Sequence, residues 1–311
     1  MKPQNTDGAQ PRTSPRWTVR SVLQWTSDFF HERGIPSSRL NAEVLLAHVL
    51  EKDRLGLYLQ YEAEVPREAL ARLRTLVKRR AGREPLQYIT GVQEFWSLSF
   101  EVNTSTLIPR PETEHLIEIA LRYIVTSWTS KGSEQARILD VGTGCGTIAI
   151  ALAKELPSAW ILATDLSGDA LAVARRNALR LVPSRTVRFV RADLFEALHA
   201  QRGWFHMIVS NPPYVARPEL ERLEPEVRDH EPRMALDGGP DGLDVLRRIV
   251  RGAPGVLCGG GHLVVEIGDG QAAALGAEIE KTGRYSSWEI HPDFSARERV
   301  LVARKADGPG A

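Results

Sequence analysis

Between Trp17 and Gly82 the apolar residues recur at helical intervals. Val22, Leu23, Trp25, Phe29 and Phe30 follow spacings of three and four, and Leu40, Val44, Leu45, Ala47 and Val49 continue the pattern. A third helix is predicted after Pro66, with Leu70, Leu73 and Val77 on one face and a stop at Gly82. Its last turn carries Lys78, Arg79 and Arg80, which suit the negative end of a helix dipole better than they suit a binding patch. From Gln87 to Ile108 the pattern changes to short alternation, LQYITG and LSFEV, which predicts a pair of strands. Beyond Glu112 helix-length and strand-length patterns alternate: helix 114–128, strand 136–141, helix 146–156, strand 160–164, helix 168–180, strand 186–191, strand 205–210, helix 241–252, strand 261–267 and helix 271–282. Such alternation implies a parallel, doubly wound sheet. Strands 285–291 and 298–304, separated only by HPDFSA, add a hairpin and bring the number to seven.

This reading divides the chain into a helical domain over 16–84, a β-hairpin linker over 85–112 and an α/β domain over 113–304. The length of 311 residues agrees with about two domains at roughly 150 residues each. The ends, 1–15 (MKPQNTDGAQPRTSP) and 305–311 (KADGPGA), read as disordered tails without an apolar secretion signal. Forty Lys and Arg against 39 Asp and Glu leave a net charge of +1, so no basic field supports a long nucleic-acid partner. Cys145 and Cys258 are too few for a disulfide framework or a cysteine-rich zinc site, which points to a reducing cytoplasm. The uncharged stretch from Val141 to Ala153 falls short of the ~18 apolar residues of a membrane span. The eight histidines show no H-x-x-x-H pair, so no metal is expected.

The chemistry begins at ILDVGTGCGTIAIALA. A strand ends at Asp140, and Gly142, Gly144 and Gly146 form a turn entering a helix, where open parallel sheets bind ligands. A dinucleotide fingerprint needs glycine at 142, 144 and 147, but position 147 is threonine. The G-x-G-x-G spacing favours close approach of a smaller cofactor over pyrophosphate binding. Nineteen residues past Gly146 stands Asp165, at the end of the next strand, where a carboxylate can accept from both hydroxyls of a ribose. The third strand ends at Asp193 and Leu194, able to accept from an adenine amino group and to pack on its ring.

The fourth strand ends in Asn211-Pro212-Pro213-Tyr214. Two prolines fix two φ angles near −65° and remove two donors, leaving a stiff rim of acceptors. An amide nitrogen is a poor nucleophile because its lone pair is delocalised into the carbonyl. If the Asn211 oxygen and the Pro212 carbonyl accept the two N–H bonds of one planar NH₂ group, that nitrogen is oriented for attack, and Tyr214 can stack on the group. The pattern selects a planar nitrogen, either a carboxamide or the exocyclic amine of a nucleobase, without choosing between them.

Over residues 113–304 the sequence resembles the class I, seven-stranded S-adenosylmethionine-dependent methyltransferases, a Rossmann-like α/β fold. The resemblance implies that Gly142, Thr143, Gly144, Cys145 and Gly146 contact the methionine part of the cofactor, Asp165 the ribose, Asp193 with Leu194 the adenine, and that Asn211 lies beside the cofactor. A closer resemblance spans nearly the whole chain. RRAGREPLQYITGVQEFWSLSFEVNTSTLIPRPETEHLIEIAL, the NPPY tetrapeptide and EPRMALDGGPDGLDVLRRIV are similar to the release factor glutamine methyltransferases, the HemK/PrmC family. It implies cytoplasmic methylation of the glutamine side chain in the Gly-Gly-Gln motif of class 1 peptide chain release factors. The helical domain would then recognise the substrate, with Asn211, Pro212 and Tyr214 catalytic, and Pro213, Arg110 and Pro111 joining them in binding it. Relatives acting on a ribosomal-protein glutamine usually carry an Arg-Ser-Pro type segment where this chain has Arg110-Pro111-Glu112-Thr113-Glu114. Glu112 and Glu114 suit either the pocket wall or the acid-favouring start of the next helix. Glu231-Pro232 and the segment Gly238 to Asp244 are expected over the cofactor end of the sheet. Ala296 stands where the family commonly has glycine, which bears on the geometry of that turn.

Overall fold

A computed structural model of the chain describes residues 16–128, 135–182, 186–293 and 295–307. The chain divides into two compact units, with the boundary after Thr90. The expected tail 1–15 and residues 308–311 of the C-terminal tail lie outside the described residues.

The first unit is helical: α1 (Val19–His31), α2 (Ser38–Leu50), α3 (Arg54–Leu59), α4 (Arg67–Ala81) and α5 (Leu86–Thr90). Thr18 and Ser21 form a capping box at the start of α1. The apolar spacing places Val22, Leu23 and Phe30 in the core, but Trp25 stays 49% exposed and stacks on Phe29 with ring centroids 5.1 Å apart. Two short elements depart from the sequence expectation. The six residues of α3 are too few to show a period, and the helix is started by Asp53, whose carboxylate accepts from Gly56 N at 2.7 Å. LQYIT forms α5 rather than a strand, because the amides of Tyr88 and Ile89 both bond to the Pro85 carbonyl and their side chains enter the core. Five residues cannot discriminate a period of two from one of 3.6.

The second unit opens with a hairpin, β1 (Val92–Phe95) and β2 (Leu98–Glu101), turning at Trp96 and Ser97. Phe95 and Phe100 are buried in the core of this unit, so the hairpin expected as a linker is built into it. There follow α6 (Glu112–Ser127), β3 (Arg137–Val141), α7 (Thr147–Glu155), β4 (Trp160–Asp165), α8 (Gly168–Leu181), β5 (Val187–Arg191), β6 (Phe205–Ser210), α9 (Pro225–His230), α10 (Asp244–Val256), β7 (Leu257–Glu266), α11 (Ala272–Thr282), β8 (Tyr285–Pro292) and β9 (Glu298–Lys305).

Among the described residues seven strands form one sheet, in the order β5-β4-β3-β6-β7-β9-β8, with β9 antiparallel to both its neighbours. Alternate strand residues face two cores. Ile138, Ile161, Met207 and Val264 pack under α6 and α7, whereas Leu139, Leu162, Ile208 and Leu263 pack under α10 and α11. The parallel register sets the functional edge. Val141 pairs with Thr164 and with Ser210, and Ser210 pairs with Val265. The next residue of each strand, namely Gly142, Asp165, Asn211 and Glu266, therefore emerges in one row at the carboxyl edge. The chain winds outward in opposite directions from β3, so this edge contains the switch point where doubly wound sheets bind ligands.

The last strand runs through Lys305, and Ala306 N donates to Arg284 O at 3.0 Å, which ties down the first residues of the expected C-terminal tail. In the turn before it, Ala296 has φ +59°, the left-handed region that glycine occupies without cost.

Candidate active site

The cleft over the carboxyl edge is floored by the turn after β3. Gly142 and Thr143 amides bond to the Thr164 carbonyl at 2.8 and 2.9 Å, which holds the turn against β4. Gly142 and Gly144 have φ +73° and +57°, and a Cβ at either would meet no atom within 4 Å. These glycines line the cleft and leave room above the backbone. Gly146 is different. It has φ +91°, does not line the cleft, and a Cβ there would stand 2.8 Å from Ile150 Cδ1 and 3.2 Å from Ala174 Cβ. Its glycine serves the packing of α7 against α8, where the sequence reading expected cofactor contact.

Asp165 braces the same turn. Gly144 N donates to Oδ2 and Ser167 N to Oδ1, each at 2.8 Å. A carboxylate offers about four acceptor positions, and with the Leu166 amide also turned toward it, capacity remains for a further donor from the cleft. Burial raises its pKa while these amide bonds lower it, with burial prevailing. Asp193 and Leu194 line the cleft beyond it. The Asp193 carboxylate is already paired with Arg248, Nη2 to Oδ2 at 2.9 Å, a partner that the sequence did not indicate. Beneath the turn, fully buried Asp140 accepts from Thr143 Oγ1 at 2.6 Å and Ala149 N at 3.2 Å, joining strand, turn and helix, and burial pushes its carboxyl up to about 7.

The opposite side of the cleft is made by the turn after β6. Asn211 and Pro213 line it, while the Pro212 residue as a whole is buried and Tyr214 half-buried. Asn211 Nδ2 donates to Thr113 Oγ1 at 2.9 Å, and among the described residues Oδ1 makes no hydrogen bond. Tyr214 donates its hydroxyl to Glu266 Oε1 at 3.2 Å and packs against the α10–α11 core, a position beneath the corner instead of the stacking position expected for it. Thr113 and Glu266 were not foreseen. Thr113 sits in the first turn of α6 and lines the cleft, while Glu266 ends β7 at 1% exposure, its carboxyl raised by burial. Aligning the strand ends into one row would have found Glu266.

The wall between these sides comes from residues 105–113. Ser105, Leu107, Pro109 and Arg110 line the cleft; Pro111 does not. The segment is clamped by Glu231, which accepts from Ile108 N at 3.1 Å and pairs with Arg110. Glu114 accepts from Trp96 N at 2.8 Å, which ties α6 to the hairpin and settles its role away from the cleft. Met234 and Ala235 complete the rim. Among the described residues no group of three or more His, Cys, Asp or Glu is placed to hold a metal ion, and no helix is long and apolar enough to cross a membrane.

Two family models match the chain: "PrmC N-terminal domain" over residues 21–91 and "Methyltransferase small domain" over residues 117–223. A release factor glutamine methyltransferase of Geobacter sulfurreducens is 48% identical, over 86% of this chain and 90% of the relative. The protein of the same name from Rhodopirellula baltica is 37% identical, over 96% and 100%. Among solved structures, a human methyltransferase 10 domain containing protein matches with a TM-score of 0.52 at 19% identity, covering 76% of this chain and 98% of that one. The hMettl16 catalytic domain in complex with an RNA hairpin matches with a TM-score of 0.54 at 17% identity, over 74% and 82%. At such identities the structural likeness speaks for the fold alone.

Proposed function

The chain belongs to the release factor glutamine methyltransferases, and from that premise we propose how its residues methylate the side-chain amide of the Gly-Gly-Gln glutamine in a class 1 release factor. S-adenosylmethionine is the methyl donor in this reading, and the cleft suits it: open space over Gly142 and Gly144, and a carboxylate at Asp165 with acceptor capacity to spare. Gly142, Thr143, Gly144 and Cys145 would hold its amino-acid part, Asp165 its ribose, and Asp193 with Leu194 its adenine. When bound, the cofactor supplies a methyl group that its sulfonium makes electrophilic.

The protein's own contribution is orientation. Asn211 Oδ1 and the Pro212 carbonyl accept the two N–H bonds of the substrate carboxamide, and the prolines keep both acceptors still. Aligning two bound reactants lowers a barrier by up to about 7–11 kcal/mol in ideal cases, so no strong base has to act before transfer. Arg110, held by Glu231, and Pro213 border the entering side chain. Recognition of the release factor beyond its glutamine falls to the helical unit, whose surface exposes Trp25, Leu55 and Leu59.

The observation that carries the proposal is the Asn211 amide, anchored through its nitrogen so that its oxygen is left for the cleft it shares with Asp165. The test is transfer of labelled methyl to purified release factor, ribosomal protein and nucleic acid, run side by side. Label on the release-factor glutamine is expected. Label confined to a ribosomal-protein glutamine or a nucleobase amine would replace this substrate with one of those.

A further inference from the structure

Beneath the corner the hydrogen bonds run one way. Asn211 Nδ2 donates to Thr113 Oγ1 at 2.9 Å, Thr113 Oγ1 donates to Glu266 Oε2 at 2.8 Å, and Tyr214 donates to Oε1 at 3.2 Å. Thr113 is 4% and Glu266 1% exposed, so water does not compete for these positions. A threonine hydroxyl has a single hydrogen to give, and an ionised carboxylate only accepts. While the Thr113 hydrogen is committed to Glu266, Oγ1 can only accept, and the Asn211 carboxamide has to turn its NH₂ group inward. With Tyr214 still donating to the Oε1 side, a donor at position 266 would face Thr113 and reverse the chain: Thr113 would accept from it and give its hydrogen to Asn211 Oδ1. The NH₂ group would then face the cleft, donor against donor for an incoming amide.

We infer that Thr113 and Glu266 are positioning residues that set the polarity of the Asn211 carboxamide, oxygen outward, and thereby decide whether a substrate NH₂ group can be held. The inference rests on the functional reading above and adds two residues that act through Asn211. It also gives a sign to the pH dependence. The groups facing Glu266 are Thr113 and Glu112 from α6, Tyr214 after β6 and Arg299 from β9; burial is the largest influence and favours the protonated form. A Glu266 protonated on Oε2, the oxygen facing Thr113, donates to it, so turnover falls as pH drops through its raised pKa, with the amide reversed.

The experiment compares the full chain with Glu266→Gln, Thr113→Val and Thr113→Ser. Turnover and KM on purified release factor are measured across pH, along with affinity for S-adenosylhomocysteine. In parallel, selective ¹⁵N labelling of the five asparagines reports the Asn211 side-chain NH₂ group, assigned with Asn211→Ala. Glu266→Gln and Thr113→Val are expected to lower kcat about 100-fold, the size that a small misplacement near the reacting atoms produces. KM and cofactor-product affinity should stay within about threefold, the Asn211 resonances should shift, and Glu266→Gln should lose the acidic limb. Thr113→Ser, which keeps the hydroxyl, should stay within about threefold of wild type. Wild-type kcat with unshifted Asn211 resonances in Glu266→Gln or Thr113→Val would overturn the inference; if Glu266→Gln does not fold, the Ser and Val pair at Thr113 decides. Failure of the wild type to methylate release factor would overturn the functional reading instead, and the Asn211 resonances would still decide the polarity claim.

Discussion

The two sides of the cleft are built by different means. The glycine-loop side is local: backbone amides of a short turn and one carboxylate on the adjacent strand hold one another, all within Gly142 to Ser167. The Asn211 side is assembled from afar, by Thr113 placed 98 residues earlier in the chain and Glu266 placed 153 residues beyond Thr113. Backbone amides cannot reverse their polarity, whereas a relay of hydroxyl and amide groups can. The first side can thus be damaged by degrees, while the second works in one arrangement and fails in the other.

Substitutions should separate the two sides. The largest effect is expected for Asn211→Ala, a loss of about 1000-fold in kcat, the upper range seen when a preorganised polar group at a reacting centre is removed. Affinity for S-adenosylhomocysteine should stay within about threefold; parallel loss of both would make Asn211 a cofactor ligand first and erase the division. Asp165→Ala should do the converse, weakening the cofactor's dissociation constant about 10- to 100-fold by calorimetry, equivalent to ~1.5–3 kcal/mol for hydrogen bonds to a charged group. An unchanged constant would remove the ribose assignment.

Within the loop, Gly144 and Gly146 should respond differently to the same substitution. Gly146→Ala forces a methyl against Ile150 and Ala174 and should cost about 2 kcal/mol of stability in urea unfolding. Gly144→Ala meets open space, so its stability loss should be about 1 kcal/mol, from backbone strain, with the larger change in cofactor affinity. Equal stability losses would mean the two glycines do the same job. The smallest effect lies away from both sides: Ala296→Gly relieves a left-handed alanine and should raise stability by about 0.5–1 kcal/mol, with turnover unchanged.

What could be read from the sequence follows the same division. The seven strands declared themselves as apolar runs that alternate with longer helical patterns and end at turn residues, and α6, α7, α8, α10 and α11 through their period, whereas the six residues of α9 did not. LQYIT and the helix at Arg54–Leu59 did not, since five or six residues fit either period and capping by Pro85 and Asp53 decided them. Gly142, Gly144, Asp165 and Asn211 were legible because their chemistry is written in adjacent letters at strand ends. Thr113 and Glu266 were not, because a threonine in a helix's first turn and a glutamate at the end of a buried strand acquire meaning only when the sheet register brings them together. The roles of Gly146 and Tyr214 depended likewise on what stands behind them, Ala174 in one case and Glu266 in the other.

A crystal structure of the chain with S-adenosylhomocysteine and a Gly-Gly-Gln peptide would show which group holds the substrate amide. The glutamine side-chain nitrogen is expected within hydrogen-bonding distance of Asn211 Oδ1, with Asn211 Nδ2 still on Thr113. A glutamine amide bound elsewhere, or an Asn211 carboxamide whose NH₂ group faces it, would rule out Asn211 as the acceptor.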